Sequence, residues 1–547
     1  MYTMNLLSHR SHTAIPSRVR WVLFALILLV LGLLNLGGPA MWWDEGWTLS
    51  VARNWAETGR YARLRDGVPT APGLEASFLV TLPVGLSMRL LGVGIWQGRI
   101  FGVLCMVAVL LLLAALAARL YDGKVAVATV AAALLLTPHP QLNPLLQGRQ
   151  VLAEIPMLAY LLGGYLCLWW ALAGPRLAVV PAAMLLGMAW ISKAQTAPFL
   201  MVSLVAPILA ALITRRWATS ILCAGALAGA YLVARSLPPF VSTILFDHSL
   251  PGDPVSGLLD VVAVVLTPFH RLYALSNLLS FGLPTLLGLT WALPKVWRSL
   301  WETEDGESEN KRVQGKIHSD QIKTDRVPPA ACPRQASAAS DLRLALLAFA
   351  GSWLGWFVTL SVGVPRYMSP AVLVGCIFLA AMLRNLTDDF DLPRSLERLM
   401  ALLSRRQPSR AGAAAMLALV LTTAALTLAA LGLARYYPDD DHSAQRVAAA
   451  LNAMPPGTRV ETYESELHFL LDQPYHYPPD QVHVELNRRS LLGQATPVAY
   501  DPLVSDPDVL VVGTFARGND LYTPVLTSGA FRQIIHDGAY EVYQRVR

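Results

Sequence analysis

The sequence predicts a polytopic α-helical membrane protein with a small α/β domain at its C-terminal end. Three observations predict it. Of 547 residues, 54% are hydrophobic and only 15% charged, where a soluble globular chain is nearer a quarter charged; the mean hydropathy is +0.45. About eleven apolar runs approach or reach the ~20 residues that a membrane-spanning helix needs. After Leu433 these runs stop, and residues 435–547 are polar and rich in Asp, His, Tyr and Pro.

The first run, 21–40, follows Arg10, Arg18 and Arg20. A signal peptide cleaved after Gly37-Gly38-Pro39-Ala40 has the same outline, but the many later runs favour an uncleaved first span. The others lie near 96–118, 124–142, 155–173, 177–192, 197–214, 218–236, 275–294, 342–362, 370–384 and 411–434, with a further partial span open at 255–268. Basic residues set the orientation, because loops that stay in the cytoplasm carry the excess of Lys and Arg. An N-terminus inside puts Arg119 and Lys124, Arg176, Arg215 and Arg216, Lys295 to Ser340, and the run from Arg384 to Arg410 in the cytoplasm. The charged segment 301–340 has few large apolar residues and reads as a disordered cytoplasmic loop. Residues 72–94 are apolar but hold prolines, glycines, Glu75 and Arg89. If they crossed, Arg119 and Lys124 would lie outside, so they read as a re-entrant or surface-lying segment of a first outer loop, 41–95.

The membrane domain thus covers 1–434, and an odd number of spans places 435–547 outside the cytoplasm. In that domain "TRVETY" (458–463) and "DVLVVGTF" (508–515) read as strands and "ELHFLLD" (466–472) as a short helix. "FRQIIHDGAYEVYQRV" (531–546) reads as a hairpin around Asp537-Gly538. Cys105, Cys167, Cys223, Cys332 and Cys376 have no metal-ligand spacing, so neither a disulfide framework nor a zinc site is expected. The chain lacks a G-x-x-x-x-G-K-[ST] loop. The formal charge of +6 is accounted for by the basic loops and calls for no nucleic acid.

The first outer loop opens with "MWWDEGWTLS" (41–50). Trp47, Val51 and Trp55 recur at helical spacing, which predicts an amphipathic interfacial helix; Trp42, Trp43, Trp47 and Trp55 read as an aromatic belt. Asp44 and Glu45 lie at its start. Arg149 and Glu154 precede the fourth span, Lys193 ends the fifth, His270 and Arg271 precede the eighth, and Arg366 and Tyr367 end the ninth. All fall on one rim. Ionisable groups at that depth are costly unless paired or functional, and converging acids and cations suit an anionic lipid head group. Plainer roles stand beside this one: Asp44 as a helix cap, Glu45 as a helix-dipole partner, Arg149 with Glu154 as a structural ion pair, and Lys193 snorkelling to the interface.

These residues resemble the GT-C membrane glycosyltransferases of the protein O-mannosyltransferase and lipid A aminoarabinose transferase type, glycosyltransferase family 39-like. The likeness rests on the Asp44-Glu45 pair after the first span, "WQGRIFG" (96–102), Arg149 with a second acid, Glu154, where the family usually has Asp, Lys193 in a K-x-x-x-x-P context, and "PRYMSP" (365–370). It covers residues 1–370. It implies a GT-C-like fold and transfer of a sugar, with inversion, from a polyprenyl-phosphate donor to a hydroxyl of a lipid, glycan or protein acceptor on the outer face. Asp44 would be the general base, with Glu45 and Glu154 supporting. Lys193, Arg366, Arg149 and Arg271 would bind the donor phosphate, and Tyr367 and His270 the substrate. The chemistry agrees: a hydroxyl needs a positioned base, and a departing phosphate needs fixed cationic donors. No cofactor is called for, and a divalent cation is left open. Two other classes remain in view. A transporter or flippase of a lipid-linked sugar would place its ionisable residues near the bilayer midplane, between repeats. A sensor built on a degenerate transferase would bind carbohydrate through its outer domain.

Overall fold

The computed structural model describes residues 17–137, 139–250, 267–317, 333–404, 410–436, 440–494 and 496–546. Eight helical segments among them are long and apolar enough to cross a membrane. They are α4 (Ile95–Leu120), α7 (Glu154–Ala173), α9 (Thr196–Ile213), α10 (Trp217–Leu245), α11 and α12 (Pro268–Asn277 and Leu283–Ile317, joined by a π-turn, Leu278–Gly282), α13 (Pro333–Leu360), α14 (Ser369–Leu386) and α16 (Arg410–Tyr436). Shorter apolar helices are α1 (Ser17–Leu33), α3 (Phe78–Leu91), α5 (Gly123–Leu135) and α8 (Val179–Ser192). The chain is a multi-pass membrane protein. All eleven predicted spans have a helix, three of them short ones. The possible partial span at 255–268 falls almost wholly outside the described residues.

The fourth short helix, α3, is the segment read as non-crossing. It packs against α2 (Trp43–Thr58) and α4.

Two expectations need correction. The segment 301–340 is not a structureless loop: α12 runs on to Ile317 and α13 starts at Pro333, with 318–332 outside the described residues. A helix already nucleated in the apolar span extends at little cost through Glu, Lys, Gln and Arg, which are good helix formers. Trp43 and Trp47 of α2 are not part of an interfacial belt either. Trp43 and Trp47, one helical turn apart, are 5% and 2% exposed and belong to the core of the C-terminal region. The Trp43 indole N–H donates to the Tyr463 carbonyl at 2.9 Å. The periodicity of α2 was legible, but the partner that covers its apolar face lies some four hundred residues away in the chain.

That partner is a five-stranded mixed sheet of order β4-β3-β5-β7-β6. β3 (Val460–Thr462) pairs in parallel with β4 (Tyr475–His476) and β5 (Val509–Val512); β5 and β7 (Tyr540–Arg545), and β7 and β6 (Phe531–Asp537), are antiparallel. The predicted strands, short helix (Ser465–Leu470, α18) and hairpin are all present. α18 lies across α2 so closely that a β-carbon on Gly46 would come within 2.2 Å of the Ser465 carbonyl carbon. Glycine is therefore required there for space, and the C-terminal region is bound to the loop that follows α1. A second hairpin, β1 (Arg63–Arg65) with β2 (Val68–Thr70), turns at Asp66-Gly67, both with positive φ, as a two-residue type I′ turn demands. Arg63 of this hairpin makes a buried two-point ion pair with Asp480, at 2.7 and 3.0 Å, which ties the loop again to the C-terminal region.

Candidate active site

Four helix ends deliver charged side chains to one cavity. Asp44 is the second residue of α2, after an N-cap at Trp42, so its carboxylate is not used as the cap. Glu154 opens α7. Lys193 sits in extended backbone at the break between α8 and α9. Arg366 and Tyr367 lie in a 3-10 turn, Pro365–Met368, that leads into α14. These breaks leave polar groups at the ends of apolar helices, where they converge.

Arg366 is at the centre. Its Nη2 donates to Asp44 Oδ2 at 2.5 Å, and its Nε lies 4.0 Å from Glu154 Oε1. Lys193 Nζ donates to the same Glu154 oxygen at 2.5 Å. Tyr367 is placed between the cations, its ring 5.1 Å from Lys193 Nζ and 5.3 Å from the Arg366 guanidinium carbon; Trp42 lies 5.7 Å from that carbon. Buried Arg366 Nε and Nη1 have no hydrogen-bond acceptor among the described residues. The Asp44 side chain is 37% exposed, Glu154 only 7%.

The cavity encloses about 1560 Å³ of non-atom space, its open mouth included. Asp44, Glu154, Lys193, Arg366 and Tyr367 line it, with Trp42, Glu75 and Gln195. Its opposite wall comes from the C-terminal region: Tyr463, Phe515, Asn519, and His483 and Asn487 of α19 (Asp480–Leu492). The His483 Nδ1 faces the Tyr463 hydroxyl at 2.7 Å and its Nε2 faces Asn487 Nδ2 at 2.9 Å, while its ring stacks on Trp43 at 5.0 Å. Burial lowers the pKa of His483, only partly opposed by Asp44 and Asp480, so the imidazole is neutral at neutral pH.

The other candidates are placed elsewhere. Glu45 is fully buried and takes a two-point ion pair from Arg99, at 3.1 and 2.9 Å. It also accepts the backbone N–H of Val151 and, reaching back from the third helical position, that of Trp42, both at 2.8 Å. Arg99 binds the carbonyls of Leu36, Pro39 and Ala40 as well. The pair thus knots the end of α1, the start of α2, α4 and the segment before α7, behind the cavity. Arg149 is buried and donates to the carbonyls of Leu34 and Asn35. His270, bonded to Thr267 at the start of α11, and exposed Arg271 do not line the cavity. Among the described residues no group of three His, Cys, Asp or Glu is placed to hold a metal ion; Asp44 and Glu154 are each paired with a cationic side chain.

Neither a family model nor a curated protein matches the chain. Solved structures do. The chain is similar to ArnT from Cupriavidus metallidurans in the apo state, with TM-score 0.54 at 14% identity over 97% of this chain and 98% of that one. The same protein bound to undecaprenyl phosphate gives 0.51 at 13%, with the same coverage. The apo oligosaccharyltransferase of Archaeoglobus fulgidus gives 0.53 at 12% identity, over 97% of this chain and 75% of that one. At 12–14% identity the likeness is one of fold, and it agrees with the GT-C resemblance read in the sequence. The likeness extends through the C-terminal region, well beyond the residues 1–370 that carry it in the sequence.

Proposed function

We propose that the protein is an integral-membrane glycosyltransferase that moves a sugar from a polyprenyl-phosphate donor to a hydroxyl acceptor on the extracytoplasmic face, with inversion. The observation that carries this reading is the guanidinium of Arg366, which holds Asp44 through Nη2 and keeps Nε and Nη1 free of acceptors. One cation can then hold a carboxylate and a phosphate together. Cupriavidus ArnT, of like fold, is solved with undecaprenyl phosphate.

In this reading Asp44, the more exposed acid, takes the proton of the acceptor hydroxyl as its oxygen attacks the anomeric carbon. The bond from that carbon to the phosphate oxygen breaks on the opposite face, and the lipid phosphate leaves. Lys193 and Arg366 receive the charge that grows on it, in a site where charge-assisted hydrogen bonds are strong. Glu154 positions Lys193. Single displacement accounts for inversion. The Lys and Arg excess in the loops at the opposite end of the helices supports an extracytoplasmic position for this end and for the C-terminal region.

Phosphate recognition has its own test. Lys193→Met and Arg366→Met are expected to weaken binding of a polyprenyl phosphate by tenfold or more, about the 1.4 kcal/mol or more of a charged hydrogen bond, and to leave binding of the neutral polyprenol close to wild type. Equal loss for both lipids would make the two residues structural and remove the phosphate site.

A further inference from the structure

Asp44 and the two cations account for one wall of the cavity. The wall built by the C-terminal region has no part in that chemistry, yet its composition is specific. Trp43 is the hub of an aromatic group: His483 stacks on it at 5.0 Å and 22°, Phe515 lies at 5.1 Å and Tyr463 at 5.4 Å. Two side-chain amides flank these rings along the same cavity, Asn487 and Asn519. His483 and Asn487, four residues apart on α19, share one helix face. Each amide makes one side-chain bond, Asn487 Nδ2 to the His483 ring and Asn519 Nδ2 to the Phe515 carbonyl. Each therefore keeps its Oδ1 and a second N–H without a partner among the described residues. A free acceptor and a free donor on one planar group match a pair of neighbouring hydroxyls. Aromatic side chains offer an apolar face with a polar edge, which suits a ring with C–H groups on its face and hydroxyls at its edge. This wall carries no charged side chain, so it does not recognise an ion.

We infer that this wall is the acceptor subsite and that it takes a carbohydrate: the attacking hydroxyl belongs to a sugar ring laid against the partly exposed His483 and Phe515 rings that cover Trp43, and held by Asn487 and Asn519. This rests on the transferase reading above and narrows its acceptor to glycans or sugar-bearing lipids. A peptide hydroxyl is the competing acceptor and is an outcome of the test.

The test is saturation-transfer NMR on the full-length protein in detergent, with a panel of neutral oligosaccharides and a panel of serine- and threonine-containing peptides. Polyprenyl phosphate binding is measured in parallel. At least one oligosaccharide is expected to bind saturably, and Asn487→Ala and Asn519→Ala, on separate elements, are each expected to weaken it about tenfold, the effect of one lost hydrogen-bonding group on a dissociation constant. Thermal melts confirm that each variant is folded; if one is not, the other decides. Absence of saturable binding by every oligosaccharide overturns the inference. So does binding indifferent to both substitutions, or peptides binding in place of saccharides. If polyprenyl phosphate does not bind but an oligosaccharide does, in a manner dependent on these amides, the transferase reading fails and the carbohydrate site stands.

Discussion

Asn in place of Asp44 is expected to reduce sugar transfer by about two to four orders of magnitude, the usual contribution of a positioned general base. Asn has the size of Asp and keeps an acceptor oxygen for Arg366 Nη2, but it cannot take the proton of a hydroxyl. The helix start does not depend on the carboxylate, because Trp42 occupies the N-cap and Glu45 bonds back to it. Expression and thermal stability should therefore stay near wild type. Polyprenyl phosphate binding should hold or improve, since the phosphate no longer shares Arg366 with an anion. Turnover within a few-fold of wild type would move the base elsewhere, with Glu154 the next acid in the cavity.

The second large effect is on stability. Glu45→Gln leaves the Arg99 guanidinium buried beside a neutral group, and removing one partner of a buried pair costs about 3–5 kcal/mol. Both side chains are fully buried, so solvent does not screen the loss. The variant is expected to melt at markedly lower temperature in detergent, and any fraction that folds should retain the turnover per folded molecule of the wild type. A Glu45→Gln protein of normal stability with turnover reduced as far as Asp44→Asn would assign Glu45 to the chemistry and contradict the structural role drawn from its bonds to Arg99, Val151 and Trp42.

Much of this was legible in the sequence. Runs of apolar residues specify helices by composition alone, so every predicted span has its helix. Asp44, Glu154, Lys193, Arg366 and Tyr367 could be picked out because a charged or polar group beside an apolar run is conspicuous, and one topology put them on one rim. They do meet in one cavity. Arg149, His270 and Arg271 met the same criterion, but a rim position does not fix where a side chain turns: Arg149 bonds to the end of α1 instead. The partner of Glu45 was missed although Arg99 had a signal, an arginine near the start of a 26-residue apolar helix, which is costly without a counter-charge. The Asp66-Gly67 hairpin had one too. The wall formed by Tyr463, His483, Asn487, Phe515 and Asn519 had none. Those residues are ordinary for a small α/β domain, and only the docking of that domain on α2 turns them towards Asp44.

The central claim is that this cavity breaks the bond between a sugar and a polyprenyl phosphate. The most direct measurement incubates the purified protein with a panel of polyprenyl-phosphate sugars and hydroxyl acceptors and follows free polyprenyl phosphate together with the anomeric configuration of the product. The account predicts that the wild-type protein releases polyprenyl phosphate from at least one donor in step with sugar transferred, with the anomeric centre inverted, and that Asp44→Asn and Arg366→Met do so far more slowly. No release from any donor, or retention at the anomeric centre, would contradict it.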